Sequence, residues 1–453
     1  MTTLLPDTVD TQVATEPPTN QRKVRRAWYA YDWANSVFTT IVTSTFYGPY
    51  LTEITADAAN PAGFVHPLGI EVRAESFYPY LVSISLFLQA LVLPGAGALA
   101  RRLPRNLLLG VLALTGSIAT VALALVTESN YVLGGGLFVV ATLALGASIV
   151  VYDTYLPEIA APAERAKVSA IGSAAGFLGT AVILVIGAVL MIGHDLFGID
   201  DGTALVVCLV LAGLWWAGFT TMSVKGLPAT TLRPEAGAVA GDFTKVQFRT
   251  MMRELVRHRR KAALFLLAFL FYNNGIQVLS SQGTTFVAEE LDVGSEMLIG
   301  GVLFVSLLAV WSTVVAGRLA TKYGGPRVLL ASLVLWLGVI LVQVTVQPGM
   351  LVMMGVMGIL MGLVNGTGYA LSRAVFANLT PRGRSGEYFS VFEVVNRCGS
   401  AFGVLMFGAV VQLTGSLRAG IASMSVLFVI GALLLLAVGV RRPREDVEAA
   451  SDD

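Results

Sequence analysis

The chain has 453 residues, of which 55% are hydrophobic and only 13% charged, with a mean hydropathy of +0.74. That balance excludes an ordinary soluble domain and identifies an all-α polytopic membrane protein. A net charge of +1, three histidines and two cysteines (Cys208 and Cys398, both inside apolar runs) exclude a disulfide framework, so no metal, cofactor or nucleic-acid partner is expected.

Residues 1–25 are polar and read as a disordered cytoplasmic tail without a cleavable signal. The first apolar run, 28–51, carries Asp32 and a file of small polar residues, with Tyr31, Asn35, Thr39 and Thr43 recurring at helical spacing. An ionisable group at bilayer depth costs about 2.5 to 3.5 kcal/mol even on the mildest scale, so this face is expected to wall an aqueous cavity. Further runs of spanning length fall at 77–100, 104–127, 131–153, 167–192 and 203–223, and a second set at 262–288, 297–317, 326–346, 350–372, 387–413 and 417–440. The chain thus divides into an N-terminal six-helix bundle, 26–223, a basic linker, 224–261, a C-terminal six-helix bundle, 262–440, and a tail, 441–453.

With the N-terminus placed in the cytoplasm, the inner connections hold nearly all Lys and Arg and the outer ones only Arg73 and Arg418. Both termini are therefore expected in the cytoplasm of a plasma membrane, bacterial in type. In the linker, Phe248, Met251, Met252 and Leu255 share one face and Arg249, Arg253, Arg257 and Arg260 the other. This fits either an amphipathic helix on the inner leaflet or a solvated basic linker. The outer stretch 52–76 reads as irregular.

The halves echo each other. Gly97-Ala-Leu-Ala-Arg101 matches Gly317-Arg-Leu-Ala-Thr321, Pro162 with Arg165 matches Pro381 with Arg384, and Tyr31-Asp32 matches Tyr272-Asn273. The basic turns resemble the signature loop of the major facilitator superfamily, with Arg101 and Thr321 where that family has an aspartate that helps latch the cytoplasmic gate. A latch here must then use another carboxylate. Read with Tyr31-Asp32-Trp33-Ala34-Asn35-Ser36, Tyr155-Leu156-Pro157-Glu158, Tyr272-Asn273-Asn274-Gly275 and Ala370-Leu371-Ser372-Arg373, the chain resembles the vacuolar-effluxer branch, the autophagy-related amino-acid effluxers and their bacterial relatives. It departs from that branch at Asn274, Asn365, Tyr369 and Arg397.

The resemblance implies a monomeric efflux carrier working by alternating access, with the cavity lined by spans 1, 4, 7 and 10 and the moving contact made by spans 2, 5, 8 and 11. Candidate solute or coupling residues are Tyr31, Asp32, Asn35, Thr39, Tyr272, Asn273, Asn274, Gln277 and Asn365. The amides suit a small polar solute such as an amino acid, and a proton is the candidate coupling ion. Gating candidates are Arg101, Asp153, Arg373, Glu387, Glu393 and Arg397. Glu393 and Arg397 are expected to pair along one helix, and Arg373 and Asp153 either to gate or to snorkel to headgroups. Small-residue runs, Gly172-x-x-x-Gly176-x-x-Gly179 and Gly399-x-x-x-Gly403, are expected to let helices approach closely, in the contact between halves by the resemblance. A multidrug-type exporter and a non-transporting receptor of the same fold are the alternatives. With His66, His194 and His258 all in connections, no membrane-depth catalytic constellation is present, so an enzyme is not expected.

Overall fold

The computed structural model describes residues 18–194, 198–231, 245–291, 293, 295–381 and 383–439. Helix α1 (Pro18–Phe38) passes into a π-helical turn, Thr39–Thr45, and then α2 (Tyr47–Asp57), which together form the first span. The interruption falls on a β-branched run, which fits an α-helix poorly. Phe46 N donates to Ile41 O at 3.0 Å, five residues back, and Thr40 Oγ1 donates to Ser36 O at 2.9 Å.

The N-terminal set continues with α3 (Ala74–Arg102), α4 (Arg105–Ala122), α5 (Tyr131–Asp153), the single turn α6 (Leu156–Ile159), α7 (Arg165–Ile192) and α8 (Asp201–Gly226). After the linker helix α9 (Lys245–His258) come α10 (Arg260–Leu291), α11 (Ser295–Tyr323), α12 (Gly325–Thr345), α13 (Leu351–Val364), α14 (Thr367–Leu379), α15 (Ser385–Thr414) and α16 (Leu417–Val438). Among the described residues, eleven stretches are long and apolar enough to cross a membrane, α13 and α14 counting as one. The first span falls short of that criterion because of its polar load. The protein is a multi-pass integral membrane protein.

Several expectations are corrected. Residues 18–25 belong to α1, not to a disordered tail; residues 1–17 and 440–453 lie outside the described residues. The stretch after the first span is ordered: α2 runs to Asp57, and strands β1 (Phe64–Val65) and β2 (Val72–Arg73) pair antiparallel, with Arg73 over the Phe64 ring at 5.6 Å. Helix α9 turns the described part of its apolar face, Met251 and Leu255, against protein rather than a leaflet. Met251 and Leu255 are buried in the protein core, while Arg253, Arg257 and Arg260 are exposed; the side chains of Phe248, Arg249 and Met252 lie outside the described ones. Burial against protein wins because the core offers packed partners on the same apolar stripe.

The glycine runs pack within each half. A Cβ at Gly172 would come within 2.7 Å of Asp32 and Trp28, and one at Gly179 within 2.9 Å of Trp33 O, so these glycines seat α7 on α1. Gly399 and Gly403 likewise seat α15 on α10, where added Cβ atoms would approach Asn274 and Val278 to 3.0 Å. The contact between halves uses other small residues. Gly97 of α3 abuts Gly386 and Ser390 of α15, and Gly317 of α11 abuts Ala166 and Ala170 of α7. Spans 2 with 11 and 5 with 8 thus form the inter-half seam, with α14 also against α7.

The positive-inside placement gives a direct expectation. In a cysteine-free background, Ala62→Cys should react with an impermeant maleimide from outside intact cells, and Arg257→Cys only after permeabilisation. Outside reaction of Arg257→Cys contradicts the orientation.

Candidate gate and solute pathway

The tenth span breaks at Asn365-Gly366, between α13 and α14. The seam leaves no space for a side chain at Gly366, whose added Cβ would collide with Thr313 and come within 2.7 Å of Phe177 of the other half. Helix α14 then carries Arg373 into the N-terminal half. Its Nη1 donates to Asp153 Oδ1 at 3.1 Å and its Nη2 to Asp32 Oδ2 at 3.2 Å. Nε donates to Ser169 Oγ at 2.9 Å, and Nη2 also reaches Ser169 O at 3.2 Å and Ser173 Oγ at 3.3 Å. The guanidinium lies 4.8 Å from the Trp28 ring centroid, 5.3 Å from Tyr152 and 5.5 Å from Tyr369. Arg373 is 1% exposed, and every partner just named except Tyr369 belongs to the opposite half. Burying an ion costs several kcal/mol; two carboxylates, two serines and three aromatic faces offset that cost here.

The polar line continues across the seam. The Tyr369 hydroxyl donates to Glu393 Oε1 at 2.7 Å and lies 3.3 Å from Asp153 Oδ2. Asn396 Nδ2 stands 3.4 and 3.3 Å from the Glu393 oxygens, and Asn273 Nδ2 donates to Asn396 Oδ1 at 2.7 Å. Arg397 Nε lies 3.6 Å from Glu393 Oε2. Three carboxylates, Asp32, Asp153 and Glu393, therefore share two guanidiniums, Arg373 and Arg397.

A second ionic group closes the same end nearer the surface. Arg101 pairs with Glu387 across the seam. Glu387 Oε2 also accepts from Arg384 Nε at 2.9 Å and Nη2 at 2.6 Å, and Arg384 in turn grips Glu254 of α9 at 2.6 and 3.2 Å. The hydrogen bonds from Arg384 hold the Glu254 carboxyl below its ordinary range. Arg165 adds a cross-seam clasp, donating to Ala377 O at 3.0 Å and Asn378 Oδ1 at 2.9 Å. The linker helix is thus tied ionically to the contact between halves.

A family profile described as "Vacuole effluxer Atg22 like" matches residues 20–448. The chain belongs to this Atg22-like effluxer family. It is 24% identical over 435 residues to an uncharacterised MFS-type transporter of Bacillus subtilis, covering 95% of this chain and 98% of that one. It is 22% identical to autophagy-related protein 22-1 of the fungus Phaeosphaeria nodorum, over 94% of this chain and 91% of the relative. Among solved structures it superposes on the human organic anion transporter MFSD10 with a TM-score of 0.73 and 16% identity, over 93% of this chain and 100% of the other. The Escherichia coli fucose:proton symporter matches with a TM-score of 0.70 and 12% identity, over 93% and 99%. These likenesses establish the major facilitator fold, and membership in the Atg22-like family sets the chain among transport proteins rather than enzymes.

Of the residues singled out from sequence, the structure joins Asp32, Asp153, Arg373, Glu393, Arg397 and Asn273 in one network, and Arg101 with Glu387 in the other. Snorkelling does not describe Arg373 or Asp153, whose side chains are 1% and 0% exposed. The expected Glu393–Arg397 pair is present but loose, and Tyr369 holds Glu393 more closely. Tyr31 and Tyr272 are buried, donating to Ser148 at 2.5 Å and sharing a hydrogen bond with Ser372 at 2.6 Å, so they brace spans 1 to 4 and 7 to 10 instead of facing an opening. Asn274 is corrected too: it is buried against Gly399, with Nδ2 donating to Leu270 O at 2.6 Å. Asn35 is buried, whereas Thr39 and Gln277 are exposed, and Asn365 Oδ1 accepts from Ser280 at 3.0 Å. Asn273, Gln277 and Ser280 fall within about 60° of one another on α10 at 3.6 residues per turn, the face bounded by α15 on one side and α14 on the other.

Sequence reasoning missed Tyr369 and Asn396 as partners, Ser169 and Ser173, and the tie from Glu254. The spacing signals existed: Tyr369 lies four before Arg373 and Asn396 three after Glu393.

The Arg384–Glu254 pair is part-exposed, so Glu254→Gln should cost under about 1 kcal/mol. Glu387→Gln, which strips a mostly buried carboxylate from two arginines, should cost more, about 3 kcal/mol. Because the Glu254 carboxyl is held low in the fold, its stabilisation is full above the unfolded value of about 4.3 and fades as pH falls through the lower folded value. The melting difference between wild type and Glu254→Gln should be flat from neutral pH to about 5 and vanish in stronger acid; a difference that instead grows on acidification contradicts the tie.

Proposed function

We propose that the protein is an efflux carrier that moves a small polar solute across the membrane by alternating access, with its cytoplasmic end closed in this structure. The observation that carries this reading is the Arg373 bolt, whose carboxylate, serine and two of its three aromatic partners all come from the opposite half, at the end that bears the basic connections. Such a contact can form only when that end is shut. The solute pathway then lies beyond the bolt, along the exposed Thr39 and Gln277 with Ser280 and Asn365. Amides and hydroxyls without fixed charge suit a zwitterion, so amino acids are the first class to test.

Asp32 is the coupling carboxylate in this account. Its side chain is 15% exposed, while those of Asp153 and Glu393 are at 0%, so it is the member of the cluster through which a proton enters or leaves. Proton uptake at Asp32 would weaken its hold on Arg373 and release the bolt; ionisation would restore it.

Two experiments test this reading. Asp32→Asn should abolish gradient-driven accumulation in proteoliposomes yet spare counterflow exchange. Equal loss of both marks a purely structural gate, and wild-type rates of both remove Asp32 from the mechanism. Gln277→Ala should lower transport at least tenfold with a melting temperature within a degree or two of wild type, about 0.5 kcal/mol or less for an exposed site. Ready unfolding of that variant places the solute elsewhere.

A further inference from the structure

Where α1 meets α7 at the basic end, a cavity of about 350 Å³ opens to the surface. Four cations converge on it: Arg22, Arg25 and Arg26 from α1 and Lys167 from α7. Arg25 is engaged, with Nη2 on Glu164 at 2.6 Å and Nε donating to Ile159 O at 2.9 Å. Arg22, Arg26 and Lys167 are exposed, and none of them makes an ion pair among the described residues. The contrast at this end of the molecule is sharp, because Arg101, Arg105, Arg373 and Arg384 each hold a carboxylate. A signal for orientation alone needs basic residues only somewhere in the connections. Here two helices focus three uncompensated positive charges on one concavity, where they repel each other until an anion arrives.

Glu164, held by Arg25, also lines the cavity and leaves a net positive charge there; the rest of the lining is largely apolar. Val168, Ile171 and the half-buried Tyr29 form a wall beside the cations. Leu178 and Val185 follow Ile171 at intervals of seven along α7, on the same face, and are exposed at 40% and 47%. An apolar seam therefore leads from the charged cavity towards the membrane core.

We propose that this cavity binds the phosphate headgroup of an anionic phospholipid of the cytoplasmic leaflet, with Arg22, Arg26 and Lys167 holding the phosphate and the α7 seam taking an acyl chain. The chemistry at the cations is that of any phosphate. The seam is what favours a lipid over free phosphate, since an inorganic ion gains nothing from Ile171, Leu178 or Val185. The site rests on the membrane placement and orientation of the chain and is independent of what the carrier transports.

The test uses full-length protein in neutral detergent, with unfolding midpoint followed against added phosphatidylglycerol, phosphatidylcholine or inorganic phosphate. Phosphatidylglycerol should raise the midpoint, an effect that weakens at high salt, while phosphatidylcholine should not. The triple variant Arg22→Gln/Arg26→Gln/Lys167→Gln should need roughly a hundredfold more phosphatidylglycerol for the same shift, at about fivefold for each basic residue. The control Arg253→Gln/Arg257→Gln/Arg260→Gln should respond as wild type does. An equal shift with inorganic phosphate overturns the lipid assignment, and an unchanged response of the triple variant overturns the site. Should the triple variant fail to fold, Lys167→Gln alone, at an exposed position, decides the matter: a lipid requirement raised about fivefold supports the site and an unaltered one overturns it. Failure of any transport assay leaves these outcomes unchanged.

Discussion

The guanidinium of Arg373 is a full charge held inside a membrane-spanning bundle, and the arrangement of both halves at the closed end answers to it. Leaving it there without partners would cost several kcal/mol. Asp32 comes within reach because Gly172 lets α1 lie close against α7. Ser169 and Ser173, on the same helix, supply the remaining acceptors, and Trp28 stacks on Tyr152 at 4.4 Å so that both rings face the cation. A contact so well satisfied when shut must be nearly as well satisfied when open, or the carrier would stay locked. Separation of the halves at this end admits water to Arg373 and to both aspartates, which restores their solvation as it breaks their pairing. Two states of similar free energy are what alternating access requires.

The internal repeat divides its labour between faces. Equivalent positions do equivalent work inside the halves: Tyr31 with Ser148 matches Tyr272 with Ser372, and the Gly172 run seats span 5 on span 1 as the Gly399 run seats span 11 on span 7. Between the halves the repeat is broken in charge. Asp32 answers to neutral Asn273, which donates to Asn396 and not to an ion, while the arginine of the bolt stands in the C-terminal half only. A symmetric arrangement of carboxylates would repel across the seam; the asymmetric one attracts.

Much of the architecture was legible in the residues. Run lengths and the placing of Lys and Arg read out the spans, because spans in lipid need long apolar segments; the seam of spans 2, 5, 8 and 11 was expected from the family resemblance alone, and the Gly172 and Gly399 runs assigned to it pack inside each half instead. The individual members of the buried ionic network, Asp32, Asp153, Arg373 and Glu393, were also visible, since an ionisable group at membrane depth demands a reason. Their partners were not: whether Arg373 meets headgroups or Asp153 depends on how two bundles dock, and no local spacing encodes that. Asn274 shows the same limit from the other side. It sits one residue from Asn273 on an amide-rich helix, yet a rotation of about 100° per residue turns it into the packing against Gly399 and away from any solute. The surroundings of the linker helix were open in the sequence for a related reason. Its amphipathic pattern is as consistent with a leaflet as with a protein surface, and only the Glu254–Arg384 tie and the buried Leu255 distinguish the two.

The most direct test of the central claim is the distance between the halves at the closed end, read by spin labels on exposed positions, one at Ala163 beside α7 and one at Lys322 on α11. With Arg373 intact and no substrate, the distribution should be dominated by one short distance. In Arg373→Gln, which removes the charge and the guanidinium nitrogens that reach Asp153 and Asp32, the population should move to longer distances as the end opens. An unchanged short distance in Arg373→Gln would show that the seam is held shut by packing alone and that the buried arginine is not what closes it.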